Sequence, residues 1–206
     1  MLSGEVLRFV LGELPTPPAR VLEVGAGDGA LAAALRDAGY DVLAIDPAGE
    51  APVVPVALND LDEPDGSFDA ATAVVSLHHL EPLEESISKL ARLVRPGGVL
   101  AVDELDVDEL DERATGWWIE RRQELGLEAP KGPREMVEEM RGHIHRVERI
   151  YDLLDGPFDL GPPARGSYLH RWHLDLELRT AEEALIASGE LPATGVRFSG
   201  RRRERS

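Results

Sequence analysis

The amino-acid sequence predicts an α/β fold: a doubly wound sheet of seven strands with a helical cap inserted before the last of them. Short apolar segments alternate with segments of helical periodicity over about the first hundred residues, which is typical of a mainly parallel sheet. A glycine-rich turn joins the first of these strands to the helix that follows it. The alternation stops after residue 103, where an acidic run begins and where we place the cap.

The regular half of the pattern extends from the N-terminus to residue 103. Ser3 is placed to cap a first helix, which ends at Pro15 because proline cannot continue it. A strand over 20–24 and the glycine turn lead into a second helix, which Gly39 ends. Further strands are predicted at 41–46, 52–56, 68–76 and 98–102, and a helix over 82–94 joins the last two.

The second half is less regular. Residues 103–113 hold seven acids and are expected to form a solvated face. Helices are predicted at 115–125, 133–141, 147–154 and 180–188, and strands at 167–174 and 195–203. The expected organisation is one domain over 1–206, divided into 1–103, a helical cap at 104–145 and a C-terminal part at 146–206.

Charge and composition limit the expected partners. The net charge of −17 repels phosphate backbones and anionic membrane surfaces, so neither nucleic acid nor a membrane is expected to bind. The absence of cysteine excludes disulfides, thiolate metal sites and cysteine nucleophiles. The sequence shows neither a signal peptide nor an apolar run of about 18 residues, so a cytoplasmic protein is expected. Both a monomer and a homodimer stay open.

The turn between the first strand and the second helix is the main candidate site. Glycines at 25, 27 and 29 tolerate positive φ and let the backbone approach a ligand at the positive end of a helix. The pattern Gly25-x-Gly27-x-x-Ala30 fits a dinucleotide fingerprint, and Asp46 lies at the spacing expected for a ribose-binding acid. The motif by itself is consistent with a dinucleotide, with another nucleoside cofactor, or with a tight turn that binds nothing.

The residues around this turn resemble a known family. The segment VLEVGAGDGALAAAL (21–35) resembles the first motif of class I S-adenosylmethionine-dependent methyltransferases. The segments 64–80 and 90–104 resemble the family's fourth-strand region and the helix, turn and fifth strand that follow, so the likeness covers about 18–104. It is of the small-molecule type found in ubiquinone and menaquinone biosynthesis.

This resemblance implies a fold and a reaction. The fold is a Rossmann-like sheet whose last strand is antiparallel, with residues 1–103 binding the cofactor and 104–145 contacting the substrate. The cofactor is S-adenosylmethionine and the product S-adenosylhomocysteine. The methyl acceptor is a small molecule that reacts at oxygen or nitrogen.

The resemblance also assigns residues to the cofactor. Glu23, two residues before the first glycine, suits the ammonium group of the methionine part, and Asp46 suits the two ribose hydroxyls. The family's adenine-binding acid would fall at Ala57, so Asp60 and the Leu61 amide are assigned to adenine, with a solvated loop acid as the alternative. The cofactor-binding residues predicted in this way are Glu23, Gly25, Ala26, Gly27, Gly29, Asp46, Pro47, Asp60, Leu61 and Ser76.

Histidines supply the candidate bases, because imidazole titrates near neutral pH. His78 and His79 follow the fourth strand at the ligand-binding edge of the sheet; with His145 of the cap they are the predicted catalytic residues, and packing or helix capping is the alternative role. An alternative metal site would combine His143 and His145 with Asp103 and Glu104. These residues lack the helical spacing of ligand pairs, and no metal is predicted.

Two other functions stay open at this point. An NAD-dependent oxidoreductase would use the same kind of sheet, although Glu23 is a poor neighbour for a pyrophosphate. A catalytically silent methyltransferase-like fold would act as a binding protein.

Overall fold

The structure is a computed structural model that describes residues 2–128 and 131–204, and a seven-stranded sheet forms its centre. The strands are β1 (Arg20–Val24), β2 (Asp41–Ile45), β3 (Phe68–Val74), β4 (Val94–Leu105), β5 (Phe158–Leu160), β6 (Ala164–Gly166) and β7 (Gly195–Arg202). Their order is β2-β1-β3-β4-β7-β5, with β6 also paired to β7. Strands β1 to β4 are parallel, and β7 is antiparallel to each of its neighbours. The predicted sheet, mostly parallel with an antiparallel last strand, is confirmed.

Helices cover both faces of the sheet. They are α1 (Gly4–Glu13), α2 (Ala30–Asp37), α3 (Leu83–Leu93), α4 (Glu112–Glu124), α5 (Pro133–His143), α6 (Val147–Asp155) and α7 (Arg179–Ser188). Consecutive residues of β1 point to opposite faces, so Val21 packs in a core with α1 and α2, and Leu22 in a core with α3 and α6. Within residues 2–128 and 131–204, no helix has the length and apolar surface that crossing a bilayer requires.

A third apolar cluster lies at the carboxyl end of β4. It joins Leu105 and Leu110 to Trp118 of α4, Met136 of α5 and Leu169. Helices α4 and α5 lie in the segment 104–145 that the sequence predicts as a helical cap, and they pack at this end of β4.

The predicted strand at 52–56 is wrong. Within this segment Val54 forms an isolated bridge to Ile45, and its N–H donates to the Ala44 carbonyl at 2.9 Å. Pro52 and Pro55 have no N–H with which to extend a ladder. An apolar segment with two prolines therefore stops at a single bridge.

The predicted strand at 167–174 is also wrong, because Leu169–Arg171 forms a turn of 3₁₀ helix. The buried carboxylate of Glu182 in α7 accepts hydrogen bonds from the N–H groups of Tyr168 (2.7 Å), Leu169 (2.9 Å) and His170 (2.8 Å). Three successive N–H groups converge on one carboxylate in a turn, whereas in a strand they alternate in direction.

The acidic run 103–113 does not begin as a solvated face, because Asp103, Glu104 and Asp106 are buried. Strand β4 continues to Leu105, beyond its predicted end at 102, and carries Asp103 and Glu104 into the interior, with Asp106 directly after it. Each of them has partners there; Asp106, for example, accepts a hydrogen bond from Arg165 at 2.5 Å.

Candidate active site

The glycine loop lies between β1 and α2, at the carboxyl edge of the parallel strands. Gly25 and Gly27 have φ values of +70° and +52°, in the region where a residue with a Cβ is strained. A Cβ on Gly25 would stand 2.3 Å from the Cβ of Ser76, so glycine lets the loop pack directly on the segment after β3. At Gly27 no atom lies within 4 Å of the Cβ position, and the backbone there is open to a ligand.

Asp46 follows β2 and is bonded to the glycine loop. The Gly27 N–H donates to Oδ2 at 3.0 Å, and the Ala48 N–H donates to Oδ1 at 2.9 Å. These bonds fix the half-buried carboxylate beside the loop, and each oxygen keeps a lone pair for a further donor. The arrangement suits a pair of neighbouring hydroxyl groups.

Glu23 of β1 is a buried carboxylate with an oxygen that lacks a partner. The residue is 3% exposed, and its Oε2 makes no hydrogen bond within the described part of the chain. Burial raises the pKa of Glu23 to about 7, against the opposing attraction of Arg36. Since this oxygen has lost hydration without gaining a partner, the carboxylate is suited to receive a cation from the cavity that it lines.

Glu104 at the end of β4 holds the turn that follows β3. Its side chain is fully buried, and Oε1 accepts N–H bonds from Ser76 (2.9 Å) and Leu77 (2.7 Å). Its Oε2 lies 2.5 Å from Nδ1 of the buried His78. We call this arrangement the Glu104 clamp. It keeps His78 in the interior and leaves the next residue, His79, on the cavity wall.

His79 is the candidate base that the structure places on this wall. Partial burial and the rings of His78 and His145 lower the pKa of His79 below the ordinary histidine value, against the attraction of Glu104. The imidazole is therefore neutral at pH 7, the form that accepts a proton. His145 lies behind the wall, with Nε2 at 3.1 Å from the Leu80 carbonyl oxygen.

The glycine loop, Glu23, Asp46 and His79 line one cavity of about 750 Å³, a volume in the range of small-molecule sites. Many of the residues predicted from the sequence lie on its wall: Glu23, Gly25, Ala26, Gly27, Asp46, Pro47, Ser76 and His79. The others lie behind or beside it: Gly29, Asp60, Leu61, His78 and His145.

Asn59 stands on the wall next to the position predicted for the adenine-binding acid. Asp60 is exposed and Leu61 packs in the core, whereas Ala57, Leu58 and Asn59 line the cavity. The Asn59 Nδ2 donates to Ser86 Oγ at 2.8 Å, which leaves the amide oxygen as a free acceptor.

The residues of the alternative metal site are not brought together. Asp103 binds the guanidinium of Arg171 at 2.6 Å, and Glu104 belongs to the clamp. Nδ1 of His143 lies 2.7 Å from the Glu139 carbonyl oxygen. Over the described ranges, no three side chains of histidine, aspartate or glutamate are grouped as a metal ion requires.

Part of the wall comes from the 168–173 turn, which the sequence did not assign to the site. Tyr168, Arg171, Trp172 and His173 all line the cavity. Their approach to it depends on the turn that replaces the predicted strand. For this segment, the grouping of aromatic and basic residues in SYLHRWHL is the sequence signal that could have pointed to a ligand.

Comparison with known sequences identifies relatives over part of the chain. Over 106 residues the chain is 35% identical to a demethylmenaquinone methyltransferase of Beutenbergia cavernae, covering 43% of this chain and 41% of that protein. Over 118 residues it is 36% identical to a ubiquinone biosynthesis O-methyltransferase of Xanthomonas campestris, covering 48% of each. The matched region is thus less than half the length of these relatives.

The chain is also similar to a solved structure and to a family model. The 1,6-didemethyltoxoflavin-N1-methyltransferase of Burkholderia thailandensis, with bound 1,6-didemethyltoxoflavin and S-adenosylhomocysteine, has a TM-score of 0.58 at 18% identity, covering 97% of this chain and 76% of that one. At this identity the likeness shows the fold alone. Residues 2–142, well over half of the chain, match the family model described as a methyltransferase domain. The chain therefore belongs to the methyltransferase domain family.

Proposed function

We propose that this chain transfers a methyl group from S-adenosylmethionine to an oxygen or nitrogen of a small-molecule acceptor and releases S-adenosylhomocysteine. The observation that carries the proposal is the placement of two carboxylates, Glu23 and Asp46, beside a glycine loop on one cavity wall. The names of the two relatives and of the toxoflavin enzyme denote small-molecule acceptors and support this acceptor class.

The residues on the wall fit the cofactor. Glu23 would accept the ammonium group on its unpartnered Oε2, and Asp46 would accept the ribose hydroxyls. The amide oxygen of Asn59 would accept the adenine amino group. When bound, the cofactor supplies a methyl carbon already activated by a positive sulfur. Carboxylates suit that charge and repel a pyrophosphate, which favours methyl transfer over the NAD-dependent alternative.

His79 is the group of this chain that would act on the acceptor. The acceptor oxygen or nitrogen forms its bond to the methyl carbon as the carbon–sulfur bond breaks with its electron pair on sulfur, and the acceptor proton passes to the imidazole of His79. Because the carbon is already activated, orientation is the main requirement. The Glu104 clamp contributes to this orientation, because it holds the turn from which His79 projects.

Thermal unfolding with S-adenosylhomocysteine and with NAD tests this function. At about 100 times its Kd, S-adenosylhomocysteine is expected to raise Tm by about 5–10 °C, and NAD is expected to leave it unchanged. Consumption of S-adenosylmethionine with a panel of hydroxylated and amino aromatic compounds then separates an enzyme from a silent binding protein. Stabilisation by NAD without stabilisation by S-adenosylhomocysteine would contradict the proposal.

Binding of S-adenosylhomocysteine is expected to release protons from Glu23. In the free protein the pKa of Glu23 is about 7, so near neutral pH part of the population is protonated. An ammonium group favours the ionised carboxylate. The affinity is therefore expected to fall as the pH drops below about 7, by at most about tenfold per pH unit. Calorimetry in buffers of different ionisation enthalpy counts the released protons.

Glu23→Gln is the variant that isolates this effect. It is expected to bind more weakly and without the pH dependence, whereas Asp60→Asn, which changes an exposed acid outside the cavity wall, keeps the proton release. The folded-state pKa of Glu23 lies above the unfolded value, so the residue costs stability increasingly from about pH 4.5 to about pH 7. Glu23→Gln without ligand should therefore be more stable than the wild type at pH 8. Proton release that persists in Glu23→Gln would refute the assignment.

A further inference from the structure

The charged residues on the cavity wall differ along the order of the sheet, and Glu81, in the segment after β3, lies 2.9 Å from His145 Nε2. Glu23 lies on β1, and Asp46 directly follows β2. Arg171 lies on the other side, bonded to Asp103 of β4, and β3 with the following His79 lies between the two groups. Under the proposed function the acidic side holds the cofactor. The wall around Arg171 is then left for the acceptor.

Arg171 carries one hydrogen-bond donor that has no partner among the described residues. In a chain of net charge −17, it is the one lysine or arginine among the described residues that line this cavity. Its side chain is 9% exposed; Nη2 donates to Asp103 Oδ1 at 2.6 Å, and within residues 2–128 and 131–204 Nε has no partner. Glu5 approaches Nε only to 4.0 Å, which is beyond hydrogen-bond distance.

The carboxylates near Arg171 are shared with other guanidinium groups. Asp103 also binds Arg197, and Glu5 binds Arg197 and Arg179, each at 2.9 Å. Arg179 also pairs with Glu183 at 2.8 Å, so the three guanidinium groups of this network are balanced by three carboxylates. Arg171 nevertheless shares Asp103 with Arg197, and its Nε has no hydrogen-bond partner among the described residues, so an anionic ligand on this part of the cavity wall is favoured as a further acceptor.

Trp172, the next residue, offers a flat aromatic surface. Its ring centroid lies 4.7 Å from that of Trp118 in the cap helix α4, and the Trp118 Nε1–H donates to the Trp172 carbonyl at 2.7 Å. The ring of Tyr168 also lies near it, with centroids 6.4 Å apart. These contacts fix the orientation of the indole, so that it offers a surface on which a planar ring can stack.

Glu182 holds this turn in the way that Glu104 holds the turn after β3. It is fully buried, accepts three successive backbone N–H bonds, and lies 2.7 Å from Nδ1 of His170. In both turns the residue after the clamped histidine is on the cavity wall: Arg171 in one, His79 in the other. Two clamps of the same construction thus position a cation and a candidate base before any ligand binds.

We propose that the methyl acceptor is a planar aromatic anion, with an ionised oxygen such as a carboxylate or phenolate paired to Arg171 and its ring on Trp172. The reacting hydroxyl or amine then faces His79. This inference rests on the proposed function and narrows it to one acceptor class.

Two aromatic probes of opposite charge test the inference. 3,4-Dihydroxybenzoate and 3,4-dihydroxybenzylamine share a ring and its hydroxyls, and each is titrated calorimetrically into the protein saturated with S-adenosylhomocysteine. The benzoate is expected to bind at least about tenfold more tightly. Arg171→Gln is expected to lose at least about tenfold of the benzoate affinity and to leave the amine within about twofold. The exposed Arg134, paired with Glu138, supplies the control Arg134→Gln, which should match the wild type.

The outcomes separate this inference from the proposed function. S-adenosylhomocysteine binding with equal or tighter binding of the amine, or with no benzoate binding, overturns the acceptor class alone. Benzoate affinity unchanged by Arg171→Gln also overturns it. Absence of S-adenosylhomocysteine binding by the wild type overturns the proposed function, and the two probes are then compared without it. If Arg171→Gln does not fold, Arg171→Lys takes its place. This variant keeps the charge but loses the planar guanidinium, so its benzoate affinity is expected to lie below that of the wild type. Benzoate affinity equal to that of the wild type would contradict the inference.

Discussion

The Glu104→Ala variant is expected to have a free energy of unfolding about 3–5 kcal/mol lower than that of the wild type. The substitution leaves the buried N–H groups of Ser76 and Leu77 without an acceptor and His78 without its partner. All three groups belong to the turn between the glycine loop and the acceptor wall. Equilibrium unfolding in urea measures the loss, and the same samples should show weakened S-adenosylhomocysteine binding.

An exposed glutamate provides the matched control. Glu120 on α4 is mainly exposed, and its carboxylate comes no nearer than 3.7 Å to Arg121, so Glu120→Ala should change the free energy of unfolding by less than about 0.5 kcal/mol. Glu104→Gln keeps one acceptor oxygen and should fall between the two variants. A loss below about 1 kcal/mol for Glu104→Ala would show that the turn does not depend on the clamp.

The His79→Ala variant is expected to lower kcat by about 10²–10⁴-fold with the first acceptor that the wild type methylates, the range found when a general base is lost. S-adenosylhomocysteine affinity should stay within about threefold, because His79 is not among the groups assigned to the cofactor, which are Glu23, Asp46 and Asn59. The pKa of His79 lies below the ordinary histidine value, so kcat of the wild type should be constant above pH 7 and decline only in more acidic buffer.

The control for this variant is His143→Ala. His143 is exposed, lies outside the cavity wall and bonds the carbonyl of its own helix, so its loss should leave kcat within about twofold. If His79→Ala keeps wild-type kcat and an unchanged pH profile, the acceptor loses its proton elsewhere and the assignment of the base is wrong.

The cofactor side of the cavity could be predicted because its signals are local in sequence. Gly25 and Gly27 need positive φ, and Glu23, on the strand that leads into the loop, stands two residues before the first of them. Asp46 comes from another strand, but parallel strands end at one edge of the sheet, so its place beside the loop follows from the alternating pattern. The register and order of the parallel strands are therefore sufficient to predict that these residues lie together.

The acceptor side could not be predicted because its structure depends on distant partners. The turn at 168–171 exists because Glu182, eleven residues further on than Arg171, takes its N–H groups, and an alternating pattern in SYLHRWHL carries no trace of that carboxylate. The sequence predicts that the acids at 103 and 104 belong to a solvated face, although Asp103 is buried and bonded to Arg171. The sequence predicts Asp60 as the adenine-binding residue, whereas Asn59 lies on the cavity wall. A one-residue difference in a short turn decides which side chain reaches the cavity.

Calorimetric titration of S-adenosylhomocysteine into the wild type, Asp46→Ala and Asp60→Ala tests most directly whether the glycine loop and its flanking carboxylates hold the cofactor. The wild type and Asp60→Ala are expected to bind with affinities within about twofold of each other, because Asp60 is exposed outside the cavity wall. Asp46→Ala is expected to bind at least about a hundredfold more weakly, since two hydroxyl bonds to a charged acceptor are lost. A wild type that does not bind, or an Asp46→Ala variant that binds as tightly as the wild type, would contradict the cofactor site described above.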